Sequence, residues 1–479
     1  MPSALVVVVL LLAAAAAAFV AWSAVVLASG SAARRGHGIL HWMFYPMLFA
    51  LAVATFLSPR SFELADEATM ALARHPAAVW TSRLVSLFLL VASSERVFSW
   101  LIARRREPAD GRGWLMLVFA TYWITNVALP AAFGAKPAFS HEFAYCLFIG
   151  LGVLAMTPDE AGRALLVARN ALLLFVLASI LAALVRPDLV LDRAYVGGLI
   201  PGMTFRFAGL APHANSMGSI AAFGLLLLWA RPYSNWPLLI AGWVLGGSAL
   251  LATQSKTAWL AFAVAGLTLL LFRRGPALKH AFGRRSAAPA IAIALSVSML
   301  VLAAAAWLLM FGGGFDKLSR FLHSRQGANL LTLVGRIEIW QVAIGEWLRN
   351  PVFGYGPTTW DLPYRLAIGI SYAFHAHNQL FNALASAGTV GALGLLAYFA
   401  LLAWAALRTS RPSAGLSLAL FLVILMRSVS EVPLSIQRYG PEQMVHFLLL
   451  VVVIAHWRAA LPGFAGTLAL GARRGALVA

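Results

Sequence analysis

The chain has 479 residues, of which 61% are apolar and 11% charged, and its mean hydropathy is +0.82. Soluble domains carry about 25% charged residues, so a soluble globular enzyme, a disordered chain and a disulfide-stapled secreted domain are excluded, the last also by the lone Cys146. The net charge of +19 would suggest nucleic acid in a soluble protein; on an apolar chain the first question is where the charges sit relative to a bilayer.

A span needs about 20 mostly apolar residues. Thirteen segments are candidates: 3–29, 39–58, 84–103, 114–133, 143–157, 164–185, 216–230, 236–253, 257–272, 289–311, 379–407, 415–433 and 443–456. The weakest are 84–103, which carries Glu95 and Arg96, and 143–157. The expected fold is therefore all-α, a polytopic membrane helix bundle of about 12 spans, within 11–13. Segment 3–29 has no basic leader and is too long for a signal peptide, so it reads as a retained helix.

The loops alternate in charge. One set holds Arg34-Arg35, Arg104-Arg105-Arg106, Arg112, Arg163, Arg169, Arg231, Arg273-Arg274, Lys279, Arg284-Arg285, Arg408, Arg411 and the tail arginines 458, 473 and 474. The positive-inside rule makes this set cytoplasmic, together with the C-terminus. The opposite face receives the 186–215 segment, the 254–257 turn and the long loop 312–378, whose length marks it as a functional candidate.

The first of these ends in Arg206-Phe-Ala-Gly209, followed by His213 and Asn215, and the turn reads Gln254-Ser255-Lys256-Thr257. Within the long loop, Ile337, Trp340, Ile344, Trp347 and Leu348 recur at helical spacing over 336–349. This pattern predicts an amphipathic helix, either lying on the membrane surface or packed within the loop. The loop closes with His375-Ala-His377-Asn378 at the start of a span. At about 100° per residue, Gly388 and Gly391 return close to the His377 face, where small residues would admit a neighbouring helix. Arg427 and Glu431, four apart near the outer end of 415–433, are spaced for an ion pair.

The outer-face cations Arg206, Lys256, Arg336 and Arg427 suit a lipid diphosphate, because guanidinium forks match phosphate oxygens. His377 could take a proton from a hydroxyl nucleophile. No DxD, HExxH, phosphate-binding loop or GxSxG elbow occurs, and His375 and His377 have no obvious third metal ligand in the sequence. Neither a metal nor another cofactor is therefore expected.

The stretch GRIEIWQVAIGEWLRNPVFGYGPTTW, followed by HAHNQLFNALASAGTVGALG, resembles the O-antigen ligase and exopolysaccharide polymerase superfamily. Its most specific mark is His377-Asn378, nine residues, then Gly388 and Gly391; the RxxG element at 206–209 with a following Asn matches in order. The resemblance covers roughly 200–440. It implies a GT-C-like membrane glycosyltransferase of the bacterial inner membrane, working on its periplasmic face without metal or nucleotide. The donor would be an undecaprenyl-diphosphate-linked glycan. The acceptor would be lipid A–core in a ligase or a second lipid-linked glycan in a polymerase. Direct displacement by the acceptor hydroxyl favours inversion. His377 would be the base, with Arg336 beside it, and Arg206, Lys256, Arg336 and Arg427 would hold the diphosphate. His213, Asn215, Asn378, Gly388, Gly391 and Glu431 would support them. Ligases usually show Ser-Arg at the turn, whereas Ser255-Lys256-Thr257 looks more like the polymerase branch.

The expected organisation is 1–185 as N-terminal transmembrane helices, 186–456 as a transmembrane core including periplasmic loop 312–378, and 457–479 as a basic cytoplasmic tail. The partners expected are these lipid-linked substrates and membrane lipids, with no nucleic acid. The alternative is a transporter or flippase of lipid-linked oligosaccharide. Ion-coupled carriers usually bury several carboxylates at mid-membrane, and the candidate spans hold only Glu95 and Glu431.

Overall fold

A computed structural model describes residue 22 and residues 38–58, 60, 62, 75–104, 111–193, 200, 203–281, 336–370, 373–437 and 440–460. Candidate spans 3–29 (apart from residue 22) and 289–311 lie outside these residues, as does the first part of loop 312–378. The remaining eleven candidates each fall on a helix. In chain order these are α1 (Phe44–Phe56), α2 (Pro76–Arg104), α3 (Arg112–Phe133), α4 (Glu142–Leu154), α5 (Pro158–Val185), α6 (Ala214–Ala230), α7 (Trp236–Ala252) and α8 (Lys256–Ala281). Two loop helices follow, α9 (Arg336–Arg349) and α10 (Leu362–Ala367), and then α11 (Gln379–Thr409), α12 (Leu416–Ser430) and α13 (Met444–His456). Helices α2, α3, α5, α8 and α11 contain stretches long and apolar enough to cross a membrane, and six of the others are shorter apolar helices. The protein is an all-α, multi-pass membrane protein. A two-residue antiparallel bridge, Leu191–Asp192 with Arg206–Phe207, is the sole sheet among the described residues.

The weak candidate at 84–103 is a helix of 29 residues. The Glu95 and Arg96 charges are neutralised locally, which is why they are tolerated in a span. Arg96 bonds Glu95 at 2.5 Å and Glu160 of α5 at 2.9 Å, with all three side chains no more than 3% exposed. Other basic residues gather at the same end of the bundle: Arg169 donates to the carbonyl of Arg231, Arg231 lies 3.4 Å from His456, and Arg112 reaches the carbonyl of Met156. The opposite end collects the N-termini of α6, α8, α11 and α13 and the C-termini of α5, α7 and α12.

Helix α11 departs from the sequence expectation. Gly388 breaks it with φ +63° and ψ −160°, a conformation open essentially to glycine alone. The close approach expected at Gly388 is made by backbone rather than by a helix: an added Cβ would lie 2.4 Å from the carbonyl carbon of Val352. The 351–356 turn docks across the break, through Thr389 N–H to Pro351 at 2.7 Å and Tyr355 N–H to Ala385 at 2.8 Å. Gly391 does meet a helix. Its carbonyl accepts from Asn126 at 2.9 Å, in the π-helical turn Ile124–Ala128 of α3. Because the rotation is interrupted, counting degrees from His377 through Gly388 does not describe one face.

Helix α9 forms where expected, but its packed face is Ile339, Ala343 and Glu346, set against Trp360, Tyr364, Ala373 and Ala376. Ile337, Ile344 and Leu348 point outward and are exposed. The helix therefore packs within the loop, as one of the two expectations has it, and presents a second, exposed apolar stripe.

Candidate functional site

The site lies at the end of the bundle where α6, α8 and α11 begin. Each of these helices turns its first-turn backbone N–H groups and its positive dipole end toward the same region. Short polar caps fix the entries. His213 Nδ1 accepts from Asn215 N–H at 3.1 Å, and Asn378 Oδ1 accepts from the N–H groups of Leu380 and Phe381 at 3.0 and 3.1 Å. The second residue of the His-Asn pair thus has a geometric purpose. It starts α11 and also donates to the carbonyl of Val429, at 3.4 Å, on the end of α12.

Arg206 is buried in the bridge opposite Asp192. Its Nε donates to the carbonyl of Thr253 at 3.0 Å and its Nη2 to Asn215 Oδ1 at 2.8 Å; Ser255 Oγ donates to that same oxygen at 3.1 Å. The RxxG element, the following Asn and the 254–257 turn therefore form one hydrogen-bonded unit. Gly209 closes the element with φ +55°, where a Cβ would lie 2.8 Å from Ser179 Cβ. Lys256 opens α8 beside this unit with its side chain exposed.

The second unit centres on a carboxylate. Glu431 Oε2 lies 3.4 Å from His375 Nε2 and 3.5 Å from His377 Nδ1. The His375 Nδ1 accepts from the His377 backbone N–H at 3.1 Å, which places the proton of neutral His375 on Nε2, facing Glu431. His377 holds φ +49°, a left-handed conformation that histidine visits more readily than most residues. It turns Nδ1 toward the carboxylate, and that orientation leaves Nε2 as the nitrogen free to accept a proton.

Arg427 departs from the sequence expectation. It does not pair with Glu431, because α12 stops at Ser430 and Glu431 continues in extended backbone, φ −149° and ψ −175°. Arg427 instead bonds Glu442 and Ser219, and Glu442 also accepts from Ser216 at 2.9 Å. Nor is Glu431 inside a span; it terminates one.

Electrostatics link the two units. Burial pushes His375 down to about 3, reinforced by His377, Arg427 and Arg336 and opposed by Glu431. Burial among neighbouring groups and the Arg206 charge push His213 down to about 4, although its outer edge is exposed; Arg60 and His377 add to this and Glu431 opposes it. Burial alone would raise Glu431, but His377, His375 and Arg427 outweigh it and hold the carboxyl below its usual range. His377 and Glu431 are thus felt both by His213, beside Arg206, and by His375, beside Arg427 and Arg336.

Two members were missed in the sequence. Arg60 reaches in from beyond α1, donating to the carbonyls of Gly209 at 3.1 Å and Pro212 at 2.7 Å, and desolvation lowers it to about 10 against the pull of Asp192. Its signal was an isolated arginine between two apolar runs on the face without arginine clusters. Glu442 is the second, an acid at the mouth of the last span. His375, His377 and Glu431 could also hold a metal ion, since one donor atom from each lies within 4.8 Å of the others. The third ligand that the sequence lacks nearby arrives from the residue just beyond α12.

Residues 240–396 match the O-antigen ligase family model. The chain carries an O-antigen ligase domain. The match includes Ser255, Lys256, Arg336, His375, His377 and Gly388. Arg60, Arg206, Arg427, Glu431 and Glu442 complete the cluster from outside the matched residues of the ligase domain. A search of curated proteins found no significant match.

Proposed function

We propose that the protein transfers a glycan from an undecaprenyl-diphosphate-linked donor to an acceptor hydroxyl, without a metal, on the periplasmic face of a bacterial inner membrane. The observation that supports it best is a single one: His377 turns Nδ1 to the Glu431 carboxylate at 3.5 Å, beside a His375 that feels the charges of Arg427 and Arg336, at an end of the bundle where three helices begin. In this reading the acceptor O–H gives its proton to His377 Nε2 while its oxygen attacks the anomeric carbon. The bond from that carbon to the diphosphate oxygen breaks, and the lipid diphosphate leaves with the bonding pair. Arg206, Arg336, Lys256 and the helix N-termini meet the charge on the diphosphate. Glu431 keeps the Nδ1–H tautomer of His377 and stabilises the imidazolium, as an orienting carboxylate does in other His-dependent sites. One displacement inverts the anomeric centre. The acceptor is either lipid A–core or a second lipid-linked repeat.

Reconstitution of the full chain with a lipid-linked repeat tests this. His377→Ala and Arg336→Ala should each lower transfer by about 10²- to 10⁴-fold while leaving the protein in the membrane. Substantial activity in both would sink the mechanism. A product ladder without lipid A–core identifies a polymerase, and transfer only onto core a ligase.

The three donors His375, His377 and Glu431 favour a second reading, in which a bound cation polarises the acceptor. Activity that survives EDTA supports the metal-free mechanism; activity lost to EDTA and restored by Mg²⁺ or Zn²⁺ supports the cation. A carrier is less well supported, because Glu95 is tied to Arg96 and Glu431 to the two histidines, and neither lies at mid-span facing a cavity.

A further inference from the structure

A slot of about 650 Å³ opens beside α1, α2, α4 and the turn before α13. That size is ordinary for a small-molecule or lipid site. Its floor is apolar, with Met47, Leu51 and Ala54 of α1 facing Ala78 and Val79 of α2. Its mouth is polar, with His75 and His141 at the site end of the bundle. From His75 to Ser86 the wall runs about 16 Å along α2 at 1.5 Å per residue, roughly half the thickness of a hydrocarbon core.

Arg83 lines this slot, about 10 Å below the start of α2. Its guanidinium lies 5.1 Å from the ring centroid of Trp80, and no carboxylate of a described residue is within ion-pair distance. Glu142 stands at the rim. A cation inside an apolar helix is costly unless it snorkels or meets an anion. An apolar trough half a bilayer deep, with a guanidinium on its wall and imidazoles at its mouth, is complementary in shape and charge to a lipid carrying phosphate.

The turn that closes the slot also closes the candidate site. Gly440, Pro441 and Met444 line the slot, while Glu442, between them, bonds Arg427. We propose that the slot holds a phosphate-headed lipid, its phosphate on Arg83 and its hydrocarbon chain along α1 and α2, one turn away from the Arg427–Glu442 pair. That this lipid takes part in transfer rests on the function proposed above; that it binds does not.

The test is native mass spectrometry of the full-length protein titrated separately with undecaprenyl phosphate, dioleoylphosphatidylglycerol and dioleoylglycerol. Each titration is repeated in the Arg336→Ala background, so that lipid held at the other cations is subtracted. We expect one phosphate-bearing lipid per chain to persist in Arg336→Ala and dioleoylglycerol not to bind. Arg83→Gln should weaken that lipid at least about tenfold, Arg83→Lys should largely restore it, and Ala54→Trp should block it. Preference for undecaprenyl phosphate would identify a polyprenyl substrate seat, and equal binding of both phosphate lipids a seat for membrane phospholipid. Lipid that tracks Arg336 and is indifferent to Arg83→Gln would overturn the proposal, whatever His377→Ala does to transfer. Arg83 is exposed, so its substitutions do not depend on core packing, and they decide the matter if Ala54→Trp fails to fold.

Discussion

Replacing Gly388 with Ala should cost far more than a methyl group in a membrane helix ordinarily does. The residue sits at φ +63° and ψ −160°, where an L side chain pays about 1–3 kcal/mol in backbone strain. Its new Cβ would lie 2.4 Å from both the carbonyl carbon and the oxygen of Val352 and 2.6 Å from the nitrogen of Phe353, all backbone atoms. Relief requires the 351–356 turn to move, at an overpacking cost of about 1–3 kcal/mol. The total is about 2–6 kcal/mol. Four backbone hydrogen bonds are at stake, from Tyr355 and Gly356 to the helix before the break and from Thr389 and Val390 back to the turn. Equilibrium unfolding in detergent measures the loss, and proteolysis within 350–356 reports whether the turn has come away. Gly345→Ala is the control: on α9 an added Cβ meets nothing within 4 Å, so that variant should be neutral or slightly stabilised. A Gly388→Ala protein within about 1 kcal/mol of the parent, with unchanged cleavage, would refute the reasoning, because neither the strain nor the contact could then be real.

Two more outcomes follow from the charge network. Glu431→Gln should lower kcat about 10²- to 10⁴-fold with little change in KM, since an amide can present the wrong partner to His377 Nδ1; a kcat within twofold of the parent would remove Glu431 from the mechanism. Stability should fall with acid. His375 titrates near 3 in the folded protein and near 6.5 unfolded, so below pH 6.5 the unfolded chain binds the extra proton. Between pH 6.5 and 4.5 this group alone removes about 2 kcal/mol. His213, lowered to about 4, and the depressed Glu431 act in the same direction. Thermal melts in EDTA should show the loss, and His375→Gln should flatten it; equal slopes for the two proteins would contradict the assignment.

The helices were legible because an apolar run of span length has few alternatives in a bilayer, and the described bundle follows those runs even where Glu95 and Arg96 weaken the pattern. The pairing of those charges with Glu160 was not, since Glu160 lies far along the chain on α5. The Arg206, Asn215 and Ser255 unit was visible as separate fragments whose sidedness put them together. The partners of Arg427 and Glu431 were hidden by an assumption of continuous helix: spacing of four residues means contact only while the helix lasts, and α12 ends between them. The same assumption misjudged α11, where Gly388 looked like a small residue on a smooth face and is a break.

The Arg427 bridge bears on how the bundle assembles. It joins α6 through Ser216 and Ser219, α12 through Arg427, and the segment entering α13 through Glu442. Lipid tails are as apolar as leucine, so greasy surfaces alone let helices slide past one another. A slip of one turn, about 5.4 Å, would strand a guanidinium and a carboxylate without each other. These three helices therefore have one vertical register in which their charges cancel, and that register is also the one that brings Glu431 level with His377.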